Sequence, residues 1–185
     1  MVELQIEQAT SKMKKAVAAT QEEFGHIRTG RASPHLLDRI EIDYYGARTP
    51  LNQIAGISVP EARMMVISPY DKNSLGAIEK AIQQSDLGVN PNNDGSIIRL
   101  NFPSLTEDRR KVLIKQVKER AEEGKIAVRN VRRHSKDEME KMKKEGEISE
   151  DDLKRSEKEL QKLTDHYIEE IDKMFGHKEQ ELLEV

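Results

Sequence analysis

The sequence has no cysteine and no tryptophan, and aromatic residues make up only 4% of its 185 positions. Without cysteine there can be no disulfides, thiolate nucleophiles, zinc ribbons or iron–sulfur clusters, and the chain suits a reducing compartment. So few aromatics argue against an all-β sandwich or barrel, whose strands favour them. No stretch approaches the ~20 apolar residues of a membrane span. The start, Met1-Val2-Glu3-Leu4-Gln5, has neither a basic segment nor an apolar run, so no signal or transit peptide is expected. These absences lead us to expect a soluble, cytoplasmic protein of one ordinary domain or two small ones. The hydrophobic fraction is low at 36%, yet it is periodic, which argues against wholesale disorder.

Three segments carry that periodicity. Val2, Ile6, Ala9, Met13, Ala16, Thr20, Phe24 and Ile27 recur at steps of three and four. So do Leu113, Val117, Ala121, Gly124, Val128, Val131, Ser135, Met139 and Met142, and then Leu153, Ser156, Leu160, Leu163, Tyr167, Ile171 and Met174. Each set is one apolar seam on a long amphipathic helix. Thr106 opens the second helix, and Ser149-Glu150-Asp151-Asp152 resembles a capping box for the third. Lys144-Glu145-Gly146-Glu147 is short enough to fold the last two helices back antiparallel. Three narrow seams find burial in a three-helix bundle; the alternative is three coiled-coil strands in an oligomer.

Between the first two helices the composition changes. All six prolines and most of the glycines lie between Gly30 and Ser104. Strand-like runs occur at residues 40–44, 56–59, 64–67 and 97–100, with one helix from Leu75 to Ser85 and a turn at Asn93-Asp94-Gly95. The expected fold class is therefore α+β. A long three-helix bundle, residues 1–29 and 105–185, carries a small inserted β/α/β domain, residues 30–104. Its two connections, near 29–34 and 101–104, are where a paired hinge would sit, with Gly30, Pro34 and Pro103 as its special residues.

The net charge of −3 hides a strong segregation. Residues 109–136 hold eleven bases and three acids, a net of +8, while residues 137–185 hold nine bases and seventeen acids, a net of −8. At ~100° per residue, Arg110, Lys111, Lys118, Lys125, Arg129, Arg132, Arg133 and Lys136 fall within about 140° of arc. Like charges three or four apart cost a few tenths of a kcal/mol per pair, so the arc suggests an anionic partner; a merely solvated face is the plain alternative. Arginine suits structured phosphate because its planar fork binds two oxygens. Arg28 and Arg31 extend the set at the end of the first helix. With no aromatics interleaved, stacking on single strands is not expected, and contact with a folded RNA by shape is.

Signals for catalysis are weak. Gly25 to Ser33 comes near a phosphate-binding loop, but it has Arg where Lys belongs and a helix in front of it where a strand is needed. The five histidines, His26, His35, His134, His166 and His177, show no metal spacing. No acid–base pair or nucleophile elbow stands out. No catalytic residue, cofactor or metal is expected.

Several stretches are familiar together: Arg28-Thr29-Gly30-Arg31-Ala32-Ser33-Pro34, Tyr44-Tyr45-Gly46, Thr49-Pro50-Leu51-Asn52-Gln53, Ser85-Asp86-Leu87-Gly88, and Thr106-Glu107-Asp108-Arg109-Arg110. The most specific is Lys125-Ile126-Ala127-Val128-Arg129-Asn130-Val131-Arg132-Arg133. Through them the chain resembles the bacterial ribosome recycling factor family over its whole length. The resemblance implies an L-shaped molecule with the dimensions of a tRNA. It implies binding to the large subunit's RNA between the ribosomal subunits after termination, then splitting of the ribosome with elongation factor G and GTP hydrolysis. It places Arg28, Arg31, Arg110, Arg129, Arg132 and Arg133 on ribosomal RNA, and it implies a monomer without cofactor. The lack of a transit peptide favours a bacterial over an organellar source. The rival reading is a helical adaptor that binds protein partners without RNA.

Overall fold

The computed structural model describes residues 1–184. Among these residues, five α-helices and six strands follow in chain order. They are α1 Val2–Gly25, β1 Glu41–Tyr44, β2 Ala47–Pro50, α2 Leu51–Ile54, β3 Ala55–Glu61, β4 Met64–Pro69, α3 Leu75–Gln84, β5 Pro91–Asn93, β6 Ile98–Asn101, α4 Glu107–Lys144 and α5 Glu150–Leu183. The chain separates into two compact units. One comprises Met1–Phe24 and Ile114–Gln180; the other comprises Gly25–Leu113 and the chain from Glu181.

The first unit is built from α1, α4 and α5. Its core is the set of seams: Ala9, Met13 and Phe24 from α1, Val117, Ala121, Val128 and Met139 from α4, and Leu153, Leu160, Tyr167 and Ile171 from α5. The third seam departs from its expected line at one point, where Thr164 is buried and Leu163 only half-buried. A helix of 3.6 residues per turn drifts against any fixed step. The Thr164 hydroxyl donates to the Leu160 carbonyl at 2.7 Å, so its burial leaves no polar group unpaired. Thr20 does the same toward Ala16 at 2.9 Å.

The helix ends carry the expected chemistry. Thr106 Oγ1 accepts from the Arg109 N–H at 3.2 Å and caps α4. The Glu147 N–H donates to the Met142 carbonyl and the Gly146 N–H to the Lys143 carbonyl, with Gly146 at φ +74°. This is a Schellman close, which needs a left-handed residue where Gly146 stands. Ser149 Oγ accepts from the Asp152 N–H at 3.1 Å, and Asp152 Oδ2 accepts from the Ser149 N–H at 3.4 Å. An aspartate thus completes a reciprocal box usually made with Glu or Gln.

The second unit holds a four-stranded antiparallel sheet in the order β3-β4-β6-β5 and a separate β1-β2 hairpin. Alternation in β4 and β6 places Met65 opposite Leu100 and Ile67 opposite Ile98, all four fully buried. Leu75, Ile78 and Ile82 of α3 join the same core. The unit is richer in strands than a β/α/β reading suggests. β2 and β5 are short and carry little apolar alternation, so backbone pairing, not side-chain burial, defines them. Tyr45 and Gly46, both at positive φ, make the β1-β2 turn. Gly95, at φ +91°, serves the β5-β6 connection, where Asp94 Oδ1 accepts from the N–H groups of Ser96 and Ile97.

α1 and α4 approach each other closely at Gly124. A Cβ there would stand 3.1 Å from Thr20 Cγ2 and nearer still to Thr20 Oγ1. Gly→Ala inside a helix ordinarily gains about 1 kcal/mol, but overpacking costs about 1–3 kcal/mol. Gly124→Ala should therefore lower stability in urea denaturation, and in a Thr20→Ala background the same change should become neutral or stabilising. A second prediction concerns Asp152, whose hydrogen bonds from Ser149 hold its carboxyl below the ordinary range. A lowered folded-state pKa gives stability that is present above the unfolded pKa of about 4 and is lost as pH falls through the folded value. The stability gap between the parent and Asp152→Ala should be full at neutral pH and close below about pH 4.

Candidate nucleic-acid interface

Helical spacing gathers the bases of α4, but the structure divides them by what they touch. Lys125 is mostly buried and reaches Asp172 of α5 at 2.5 Å and Glu122 at 3.2 Å. The Asp172 hydrogen bond raises its pKa despite partial burial, which acts the other way. Lys136 lies 3.6 Å from Glu157 of α5 and 3.8 Å from Glu140. Arg132 donates to Gln161 Oε1 at 2.7 Å, and Gln161 in turn donates to Asp165 at 2.8 Å. Near the reversal, Lys143 approaches Glu150 at 3.7 Å. The contact positions rise on α4 as they fall on α5, which is the signature of an antiparallel hairpin.

Part of the basic crowding is therefore answered within the chain. For the arc as a whole the sequence reading weighed an external anion and a solvated face; the structure adds α5, which Lys125, Arg132, Lys136 and Lys143 reach. The signal was present in the equal and opposite charges of the two adjoining stretches. Among the described residues, Arg129 and Arg133 make no ion pair and no side-chain hydrogen bond. Arg133 is exposed and Arg129 half-buried.

The remaining predicted site residues belong to the second unit. Arg28 is chiefly structural. Its Nη2 donates to the Pro103 carbonyl at 2.6 Å, and its guanidinium lies 5.5 Å from the centre of the Phe102 ring. Burial, then the nearby Arg109 charge, lowers its pKa. Arg31 is exposed and stands 3.9 Å from Glu184. Arg110 is half-buried, and its Nε has no hydrogen-bond partner. Of the residues expected at a hinge, Gly30 has open space where a Cβ would be, Pro34 opens a 3-10 turn through Leu37, and Pro103 is the acceptor for Arg28. The linkers are also held to the β3-β4 turn: the Ala32 N–H donates to the Ala62 carbonyl and the Phe102 N–H to the Arg63 carbonyl, both at 2.7 Å. Arg63, which the sequence reading did not select, donates from Nη1 to Ser104 Oγ at 2.6 Å.

The histidines assemble no metal centre. His26 and His35 converge on Asp38 Oδ2 at 3.6 and 3.3 Å, and no group of side chains among the described residues is arranged to hold a metal ion. No described helix is long and apolar enough to cross a membrane.

The division between structural and unpaired arginines is open to measurement. Arg28→Ala should cost about 1–2 kcal/mol in urea denaturation, the scale of a hydrogen bond from a charged group. Arg129→Ala and Arg133→Ala should each leave stability within about 0.5 kcal/mol, as surface changes usually do.

The family model described as "Ribosome recycling factor" matches residues 20–183. The ribosome-recycling factor of Caldicellulosiruptor bescii is 59% identical over 180 residues, covering 97% of this chain and 98% of that protein. That of Bacillus subtilis is 54% identical over 178 residues, covering 96% of each. A solution structure of a ribosome recycling factor superposes with a TM-score of 0.79 at 43% identity, covering 100% of this chain and 98% of the other. A second neighbour, the T. thermophilus factor described with E. coli elongation factor G on the E. coli post-termination complex, has a TM-score of 0.69 at 44% identity and full coverage of both chains. The chain belongs to the ribosome recycling factor family.

Proposed function

We propose that this protein acts in the cytoplasm as a translation factor, not an enzyme. It binds the ribosome after termination and, with elongation factor G and GTP hydrolysis, separates the subunits. The observation that carries the RNA contact is the pair Arg129 and Arg133, whose guanidinium groups are left unclaimed on a helix where Lys125, Arg132 and Lys136 are committed to α5. A guanidinium without an internal acceptor offers its full fork to phosphate. Arg132 keeps four of its five donors after its bond to Gln161 and joins them. Arg28, Arg31 and Arg110 complete the contact set, Arg28 mainly by holding the second linker in place. The family member described on a post-termination complex with elongation factor G supports the same partners here.

The working division is a helical part, residues 1–29 and 105–185, and an inserted part, residues 30–104, joined at a hinge. Because Ala32 and Phe102 are hydrogen-bonded to the β3-β4 turn, the free lengths shorten to Thr29–Arg31 and Pro103–Ser104. Short paired linkers restrict motion to bending about one axis, so that work done by a GTPase on the inserted part is delivered as a directed displacement.

Arg129→Ala and Arg133→Ala should each weaken binding to post-termination ribosomes by about 1.5–3 kcal/mol. Each should also flatten the plot of log affinity against log salt by nearly one unit. Light scattering should show subunit splitting only when the protein, elongation factor G and GTP are all present. An adaptor that binds protein alone would show little salt dependence and no such requirement.

A further inference from the structure

A cleft of about 470 Å³ in the second unit is lined by three arginines, Arg31, Arg63 and Arg110, with Ser104, Glu181 and Glu184 also in its wall. Three like charges around one space repel. The two acids of the wall offset that cost in part. Arg31 and Glu184 stand 3.9 Å apart with side chains 78% and 57% exposed, a pairing worth little in water. Arg63 makes no ion pair among the described residues. Arg110 brings an Nε that is buried with no acceptor, the condition of a donor still lacking its partner.

Arg63 is placed with care. Its carbonyl accepts the Phe102 N–H at 2.7 Å, and one guanidinium N–H is spent on Ser104 Oγ at 2.6 Å. The bond to Ser104 fixes the plane of the guanidinium and leaves four of its five donors for a ligand. A fixed fork beside two other arginines is the chemistry of phosphate recognition.

We infer that this cleft is a phosphate-binding site, with Arg63 contributed by the inserted, strand-rich segment as its third arginine, and that its occupant is a backbone phosphate of folded RNA. Arg31 and Arg63 are exposed, so a polymer can lay its backbone across them without entering a closed cavity. Glu181 and Glu184 bring the wall to a net charge of +1, so its charge stays complementary to phosphate. The inference rests on the RNA-binding reading above and adds to it Arg63, a contact from the β3-β4 turn.

The test compares Arg63→Ala, Arg63→Lys, Ser104→Ala and, as a reference from the other unit, Arg132→Ala. Each full-length variant is titrated with post-termination ribosomes between 50 and 200 mM salt, after a thermal melt shows that it is folded. Arg63→Ala should bind about tenfold more weakly, with a salt slope smaller by nearly one unit. Arg63→Lys should keep the slope while losing part of the affinity, and Ser104→Ala should keep the slope. If Arg63→Ala and Ser104→Ala behave alike with the parent's slope, Arg63 only holds the linker and the inference fails. An unchanged slope for Arg63→Ala beside a reduced one for Arg132→Ala refutes the cleft alone; unchanged slopes for both refute the RNA reading with it. Inorganic phosphate added to the isolated protein separates the two sources. Binding of phosphate that Arg63→Ala abolishes, while ribosome affinity stays the same, makes this a site for a free anion and overturns the RNA assignment.

Discussion

Eleven basic residues in the stretch from Arg109 to Lys136 are tolerable on one helix because an acidic helix is folded against it. The rungs Lys125–Asp172, Arg132–Gln161, Lys136–Glu157 and Lys143–Glu150 run from the middle of α4 to the reversal. No single exposed rung is worth much, for surface pairs contribute at most about 1 kcal/mol each. Their joint effect is specificity: the antiparallel pairing closed at Gly146 sets these bases against polar and acidic partners on α5. The apolar seams supply the burial, while the charges fix which faces meet.

This ladder makes arginine count a poor guide to arginine role. Arg28, with its charge over Phe102 and its N–H on the Pro103 carbonyl, serves as a cross-brace between the end of the first helix and a distant linker. Arg133 makes no ion pair and no side-chain hydrogen bond among the described residues. The two look equivalent in a charge tally and differ in the one property that matters for binding, whether an acceptor is already in place.

Much of the architecture was legible from residue order alone. Seams at steps of three and four placed α1, α4 and α5, since one periodic stripe per helix admits few ways to bury it. Thr106, Gly146 and Ser149-Asp152 marked the ends because capping chemistry is local. β4, β6 and α3 also showed, through alternation or a compact apolar face. β2 and β5 did not, because Arg48, Asn92 and Asn93 carry no burial pattern and their strands exist only through pairing with β1 and β6. The candidate site was legible as a set of bases but not as a division between committed and unclaimed ones. That division depends on residues 29 or more positions away, such as Gln161 for Arg132 and Asp172 for Lys125. Arg63 was invisible for the same reason: a lone arginine in a turn acquires meaning only from the linker it meets.

The discontinuity of the helical unit bears on how the molecule is made. α1 leaves the synthetic machinery first, yet the helices that cover Met13 and Phe24 begin about 90 residues later. At about 5–20 residues per second the wait is several seconds, and an isolated amphipathic helix of 24 residues is only marginally stable in water. The strand-rich unit, nearly all of it one continuous run, has its last strand in place at Asn101, before α4 begins. Vectorial synthesis therefore leaves α1 uncovered until the α4-α5 hairpin emerges.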